Sequence, residues 1–150
     1  MVSRMRLIRH TGIYVNDLEK MKDFYCRYFA MDVAVHDTEG GQYSETILGV
    51  PSISLELYKL KRKDGTMIEL LKPNIPLEER KDVHSDSIAH HGCVHIAFTV
   101  EDLDKVYVSM VSEGIEFISK PVVSPNGGAY VCFCRDPEGN YLELVQELSN

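Results

Sequence analysis

Two hydrophobic periods alternate along the chain. Ile8–Val15 and Val94–Val100 are short runs rich in Ile, Val, Thr, Phe and Tyr, and they predict strands. Each leads to an aspartate, Asp17 or Asp102, placed to cap a helix. After Asp102, Leu103, Val106, Tyr107, Met110 and Val111 recur at the spacing of one helical face, and Gly114 ends the helix. After Asp17, Leu18, Met21, Tyr25 and Tyr28 share a face, Phe24 and Phe29 flank it, and the helix stops near Met31. Three strands are expected after each helix, near 33–37, 52–62 and 66–72, then near 115–119, 129–135 and 140–147. Lys63-Asp64-Gly65-Thr66 reads as a hairpin turn, and Asp136-Pro137-Glu138-Gly139-Asn140 as its longer equivalent.

The two halves are copies of one pattern. Shifting residues 10–21 by 85 aligns His10 with His95, Val15 with Val100, Asp17 with Asp102, Leu18 with Leu103 and Lys20 with Lys105. Shifting residues 64–71 by 74 aligns Gly65 with Gly139, Glu69 with Glu143 and Leu70 with Leu144. The first half therefore carries extra residues, and 38–51 is the natural place for them. The fold class that follows is α+β, two tandem βαβββ modules in a single domain spanning 1–150. Module one covers 7–72, a linker with Pro73, Pro76 and three histidines covers 73–92, and module two covers 93–147. One module alone leaves a sheet face uncovered, so two must pair, within a chain or between chains, and their twisted sheets then enclose a cup.

Composition narrows the function. The chain has 150 residues, 44% apolar and 26% charged, with a formal net charge of −7. That balance is globular and lacks the positive footprint of a nucleic-acid or polybasic membrane binder. No apolar run reaches the length of a membrane-spanning helix, and the basic N-terminus has no apolar stretch behind it, so the expected location is the cytoplasm. The cysteines, Cys26, Cys93, Cys132 and Cys134, form no Cys-x-x-Cys pair; they read as reduced and mostly buried, with Cys132 and Cys134 on one strand face.

The repeat carries chemistry because both of its anchors are metal-ligand types. His10 and His95 fall at one point of the first strand, and Glu69 and Glu143 at one point of the last. Both glutamates interrupt apolar strands, Met67-Ile-Glu-Leu-Leu71 and Tyr141-Leu-Glu-Leu-Val145. A carboxylate facing an interior is costly unless paired or metal-bound. Two imidazoles and two carboxylates suit one divalent ion, such as Zn, Ni, Co, Mn or Fe. Other residues read two ways. Glu56 is either a second base in the cup or a solvent-facing residue. His90 and His91 either line the pocket mouth or belong to a solvated linker. Lys59, Lys61, Arg62 and Lys63 either protect a hairpin edge or anchor an anionic tail. Arg135 either binds a carboxylate or pairs with Asp136. His36 and His84 read as surface residues.

Over residues 7–147 the chain resembles the vicinal oxygen chelate superfamily, which includes glyoxalase I, methylmalonyl-CoA epimerase, extradiol dioxygenases and the fosfomycin and bleomycin resistance proteins. The resemblance is carried by His10-Thr-Gly-Ile-Tyr-Val-Asn-Asp-Leu18, Phe24-Tyr25, Ile68-Glu-Leu-Leu71, His95-Ile-Ala-Phe-Thr-Val100 and Asp136-Pro-Glu-Gly-Asn140 leading to Leu142-Glu-Leu144. It implies a divalent ion in the cup of paired modules. The ligand order of glyoxalase I (lactoylglutathione lyase)-like members, His, Glu, His, Glu, falls on His10, Glu69, His95 and Glu143. It further implies a small substrate that chelates the metal through neighbouring oxygens, in the class case the hemithioacetal of an α-ketoaldehyde. That substrate isomerises through an enediolate, with Glu143 as the base and Glu69 its symmetric partner. The alternatives are an epimerase of the methylmalonyl-CoA type, a non-catalytic binding or resistance protein, and an extradiol dioxygenase. Epimerases typically differ at the second ligand, dioxygenases use two His and one Glu, and bleomycin-binding members often lack the metal set. The resemblance also implies a homodimer with modules paired across chains, pairing within one chain being the alternative.

Overall fold

The computed structural model describes residues 7–78 and 92–148. It divides into two compact units, Met1–Glu79 and Arg80–Asn150.

The first unit runs β1 (Thr11–Tyr14), α1 (Leu18–Phe29), β2 (Asp32–Glu39), α2 (Gly41–Leu48), β3 (Leu55–Lys61) and β4 (Met67–Pro73). Its four-stranded sheet has the order β1-β4-β3-β2. β1 lies parallel to β4, a pairing that needs the crossover supplied by α1, and the other neighbours are antiparallel. Asp17 caps α1 by accepting the Lys20 amide at 3.0 Å. Leu18, Met21, Phe24, Tyr25 and Phe29 are the buried side of α1, and Tyr28 is only partly covered. Beneath them Ile68, Leu70 and Leu60 are closed to solvent. The hairpin turn forms as expected: Gly65 takes φ +92°, Asp64 accepts the Thr66 amide at 2.8 Å, and the Arg62 amide donates to Thr66 at 2.9 Å.

The second unit runs β5 (His95–Thr99), α3 (Leu103–Ser112), β6 (Val122–Val123), β7 (Ala129–Arg135) and β8 (Tyr141–Glu147), with sheet order β5-β8-β7-β6. β5 is parallel to β8, as β1 is to β4. Asp102 caps α3 through the Lys105 amide, 3.1 Å. Gly114 at φ +84° closes the helix, its amide donating to Val111. Two connected units of the βαβββ pattern are thus present.

Four expectations need correction. The extra residues of the first half contain a helix, α2. Eight residues opened by two glycines, with Tyr43, Ile47 and Leu48 exposed, carry too little periodicity to announce it. The strand expected near 115–119 is reduced to a single bridge, Phe117 to Cys134, and the regular pairing moves on to Val122–Val123. Pro121, which has no amide hydrogen, stands between them. On α3, Leu103 and Met110 are buried but Val111 is exposed, so the apolar stripe is narrower than its spacing suggested. Among the cysteines only Cys132 and Cys134 are buried; Cys26 is intermediate and Cys93 exposed. His84, His90 and His91, with most of the linker, lie outside the described residues.

Candidate metal centre

Strand alternation sorts each sheet into two faces. In the first unit the Tyr58 hydroxyl donates to Glu19 on α1 at 2.6 Å, so Tyr58 and its ladder partner Leu70 face the helix. Glu69 and its partner Lys59 therefore face the other way. In the second unit the Leu103 amide at the start of α3 donates to Gln146 at 2.8 Å. Gln146, Leu144 and Leu142 thus face the helix, and Glu143 does not. The parallel ladders complete the picture. Gly12 lies opposite Glu69 and Ala97 opposite Glu143. His10 and His95 each stand two residues earlier, on the same face as the glutamate.

The outcome is one contact made twice. His10 Nε2 lies 3.1 Å from Glu69 Oε2, and His95 Nε2 lies 3.1 Å from Glu143 Oε2. The carboxylates are the less exposed partners, 13% and 23% against 31% and 38% for the imidazoles. Each is thus a half-covered pair of donors on the face turned away from α1 or α3. A nitrogen and an oxygen 3.1 Å apart need little movement to ligate a common ion, and this donor set fits a divalent metal. Within neither unit do three or more ligand-type side chains converge among the described residues.

The surroundings of the two pairs differ. Lys59 Nζ sits 3.3 Å from Glu69 Oε1, so Glu69 is held by a cation on one oxygen and by His10 on the other. Opposite Glu143 the same ladder position holds Phe133, whose ring stands edge-on to His95 with centroids 5.3 Å apart. Arg135 shares this face. It donates to the Tyr141 hydroxyl at 2.9 Å and lies 4.7 Å over that ring, while its Nε is buried without a hydrogen-bond partner.

Glu56 does not join the centre. It falls on the helix side of β3, 3.0 Å from His36, which stacks on Tyr58 at 4.1 Å. His36 is therefore part of a side-chain cluster and more than a bare surface residue. Of the basic cluster, Arg62 pairs with Asp64 within the turn (3.4 Å) and Lys61 follows Lys59 on the face turned away from α1. The contacts of Lys59 and Phe133 are what residue-by-residue reading missed. Counting outward from each turn would have found them.

Comparison with known proteins agrees with this architecture. The chain belongs to the Glyoxalase/Bleomycin resistance protein/Dioxygenase superfamily, whose family model matches residues 7–144. It is 26% identical over 156 residues to the lactoylglutathione lyase of Pseudomonas aeruginosa, covering 99% of this chain and 87% of that protein. It is 25% identical over 144 residues to the lactoylglutathione lyase of Schizosaccharomyces pombe, covering 93% of this chain. The chain spans only about half the length of that protein, 47%, and of the glyoxalase I of Saccharomyces cerevisiae, 44%. Among solved structures, a glyoxalase family protein from Bacillus cereus superposes with a TM-score of 0.83 at 23% identity, covering 99% and 100% of the two chains. A fosfomycin resistance protein, FosX, from Listeria monocytogenes superposes at 0.62 with 16% identity over 94% and 90% of the chains; that structure holds Mn(II). No helix among the described residues is long and apolar enough to cross a membrane.

Proposed function

We propose that this protein is a metal-dependent lyase of the glyoxalase I kind, which isomerises the hemithioacetal of an α-ketoaldehyde to the thioester of a 2-hydroxy acid. The observation that carries this reading is the duplicated His–Glu contact at 3.1 Å on the face of each sheet turned away from α1 or α3. Relatives named lactoylglutathione lyase support the activity, and the Mn(II) of the FosX structure supports the metal. His10, Glu69, His95 and Glu143 would hold one divalent ion (Zn, Ni, Co, Mn or Fe), with the modules paired across a cytoplasmic homodimer. The ion, when bound, would polarise the two substrate oxygens and stabilise the negative charge that develops on them. Glu143 takes the proton from the carbon that bears sulfur and returns it to the adjacent carbon. The oxygens exchange a proton in the opposite sense, so no external oxidant or reductant is needed. His10 and His95 would each turn Nε2 from its glutamate to the ion. Glu69, fixed on both oxygens, serves as a ligand.

The test is metal analysis of gently purified protein, then NMR of the methylglyoxal–glutathione hemithioacetal in deuterium oxide. The expected result is one divalent ion per four-ligand site, and a thioester product partly deuterated at the carbon next to its carbonyl. Stoichiometric metal without conversion or exchange would reassign the protein to a binding role. Sedimentation showing only a monomer with full metal occupancy would place all four ligands in one chain.

A further inference from the structure

We propose that Lys59 is an anion-anchoring residue of the metal centre, and that the substrate carries a carboxylate or similar anionic group beside its metal-chelating oxygens. This rests on the metal-centre reading above and narrows its substrate to an α-ketoaldehyde adduct with an anionic substituent, of which the methylglyoxal adduct is the simplest analogue and leaves Lys59 unused. Lys59 and Glu69 are directly opposed in the β3–β4 ladder, with Nζ 3.3 Å from Oε1, while Oε2 of the same carboxylate meets His10. The equivalent position in the second unit is Phe133 opposite Glu143. This sheet position therefore tolerates an aromatic ring, and the fold does not require a cation there. Lys61 stands one ladder step further on the same face, opposite Met67, so positive charge extends outward from the pair.

A lysine in this place is a liability for a metal site by itself. Once Glu69 shares its charge with a divalent ion, the ammonium is left beside a like charge. An anion that reaches both ion and ammonium removes the repulsion and gains a charge-assisted hydrogen bond. The compact ammonium on a flexible stem suits such a ligand, and with the side chain 31% exposed it is open to one.

The experiment uses the full chain loaded with Co²⁺, whose visible absorption reports chelation, titrated with glycolate and with tartronate. These probes chelate through the same hydroxyl and carboxylate oxygens, and tartronate keeps one carboxylate free. The parent is expected to prefer tartronate. Lys59→Met should cut that preference about tenfold, and Lys59→Arg should hold it within about threefold, as expected for loss or retention of a bond to a charged group. Glycolate affinity should stay level, and Co²⁺ affinity should stay level or rise in Lys59→Met. Equal loss of both probes and of Co²⁺ in Lys59→Met would make Lys59 a purely structural partner of Glu69 and overturn the proposal. Co²⁺ binding with no tartronate preference in the parent overturns the role of Lys59 alone. Failure of the parent to bind Co²⁺ overturns the metal centre and this proposal with it.

Discussion

Asp136→Ala should be among the most damaging single changes outside the apolar core. Asp136 is 4% exposed and opens the turn that leads into β8. Its Oδ1 accepts the amides of Glu138 (3.0 Å) and Asn140 (2.9 Å), and its Oδ2 accepts the Asn140 side-chain amide (2.8 Å). Three bonds to one carboxylate, at roughly 1.5–3 kcal/mol each, would sum to more than the site loses, because Asn140 is exposed and water can replace part of them. A net cost of about 3 kcal/mol follows, which for a chain of this size lowers the melting temperature by roughly 6–12 °C. Asp136→Asn keeps an oxygen for the two backbone amides but sets its NH₂ against that of Asn140, and should cost only about 1 kcal/mol. Melting followed by circular dichroism, with urea titration at 25 °C, measures both variants. An alanine variant that melts within about 2 °C of the parent, or an asparagine variant as damaged as the alanine one, would refute the reasoning.

Other outcomes can be checked on the same protein. Glu143→Gln should lower turnover by about 10²–10⁴-fold while keeping much of its metal, and Glu69→Gln should cost less; equal losses in step with metal content, read by mass spectrometry, would leave Glu143 a ligand only. Burial pushes the Cys132 and Cys134 thiols up, to about 11 and about 12. At pH 8 a disulfide reagent should therefore modify exposed Cys93 first, Cys26 more slowly and the buried pair only on unfolding; labelling of Cys132 at the rate of Cys93 would contradict the packing. Bonds from the Lys105 side chain and amide hold the Asp102 carboxyl below its ordinary 3.8. Its folded value is the lower one, so its contribution is complete above pH 3.8 and fades as pH falls through the folded value. Asp102→Ala should melt earlier than the parent at pH 7, and the gap should close below pH 4; a gap that widens in acid would contradict the cap.

What was legible in the chain, and what was not, follows from how local each interaction is. The His–Glu pairs showed because duplication wrote them twice, and because a glutamate between Ile68 and Leu70 breaks an otherwise apolar strand. The capped starts of α1 and α3 rest on aspartates three residues from the amides they accept, so they too are local. β6 was misplaced because nothing within 115–123 states which backbone amides meet β7; that depends on partners seven and nine residues further along and on the interruption at Pro121. The difference between the two half-sites lies between these cases. An antiparallel register is a sum of residue numbers fixed by its turn: Lys59 faces Glu69 about Asp64, and Phe133 faces Glu143 about Glu138. Both turns were read correctly from Asp64-Gly65 and Asp136–Asn140, so the cation on Glu69 and the ring opposite Glu143 were already implied. That pairing is where the two copies stop being equivalent. One carboxylate is clamped between an imidazole and an ammonium; the other touches an imidazole alone among the described side chains. A carboxylate that must leave its partner to move a proton does so more easily with one partner than with two, and on that ground the proposed mechanism gives the mobile role to Glu143 and the fixed one to Glu69, where duplication by itself would have made them symmetric.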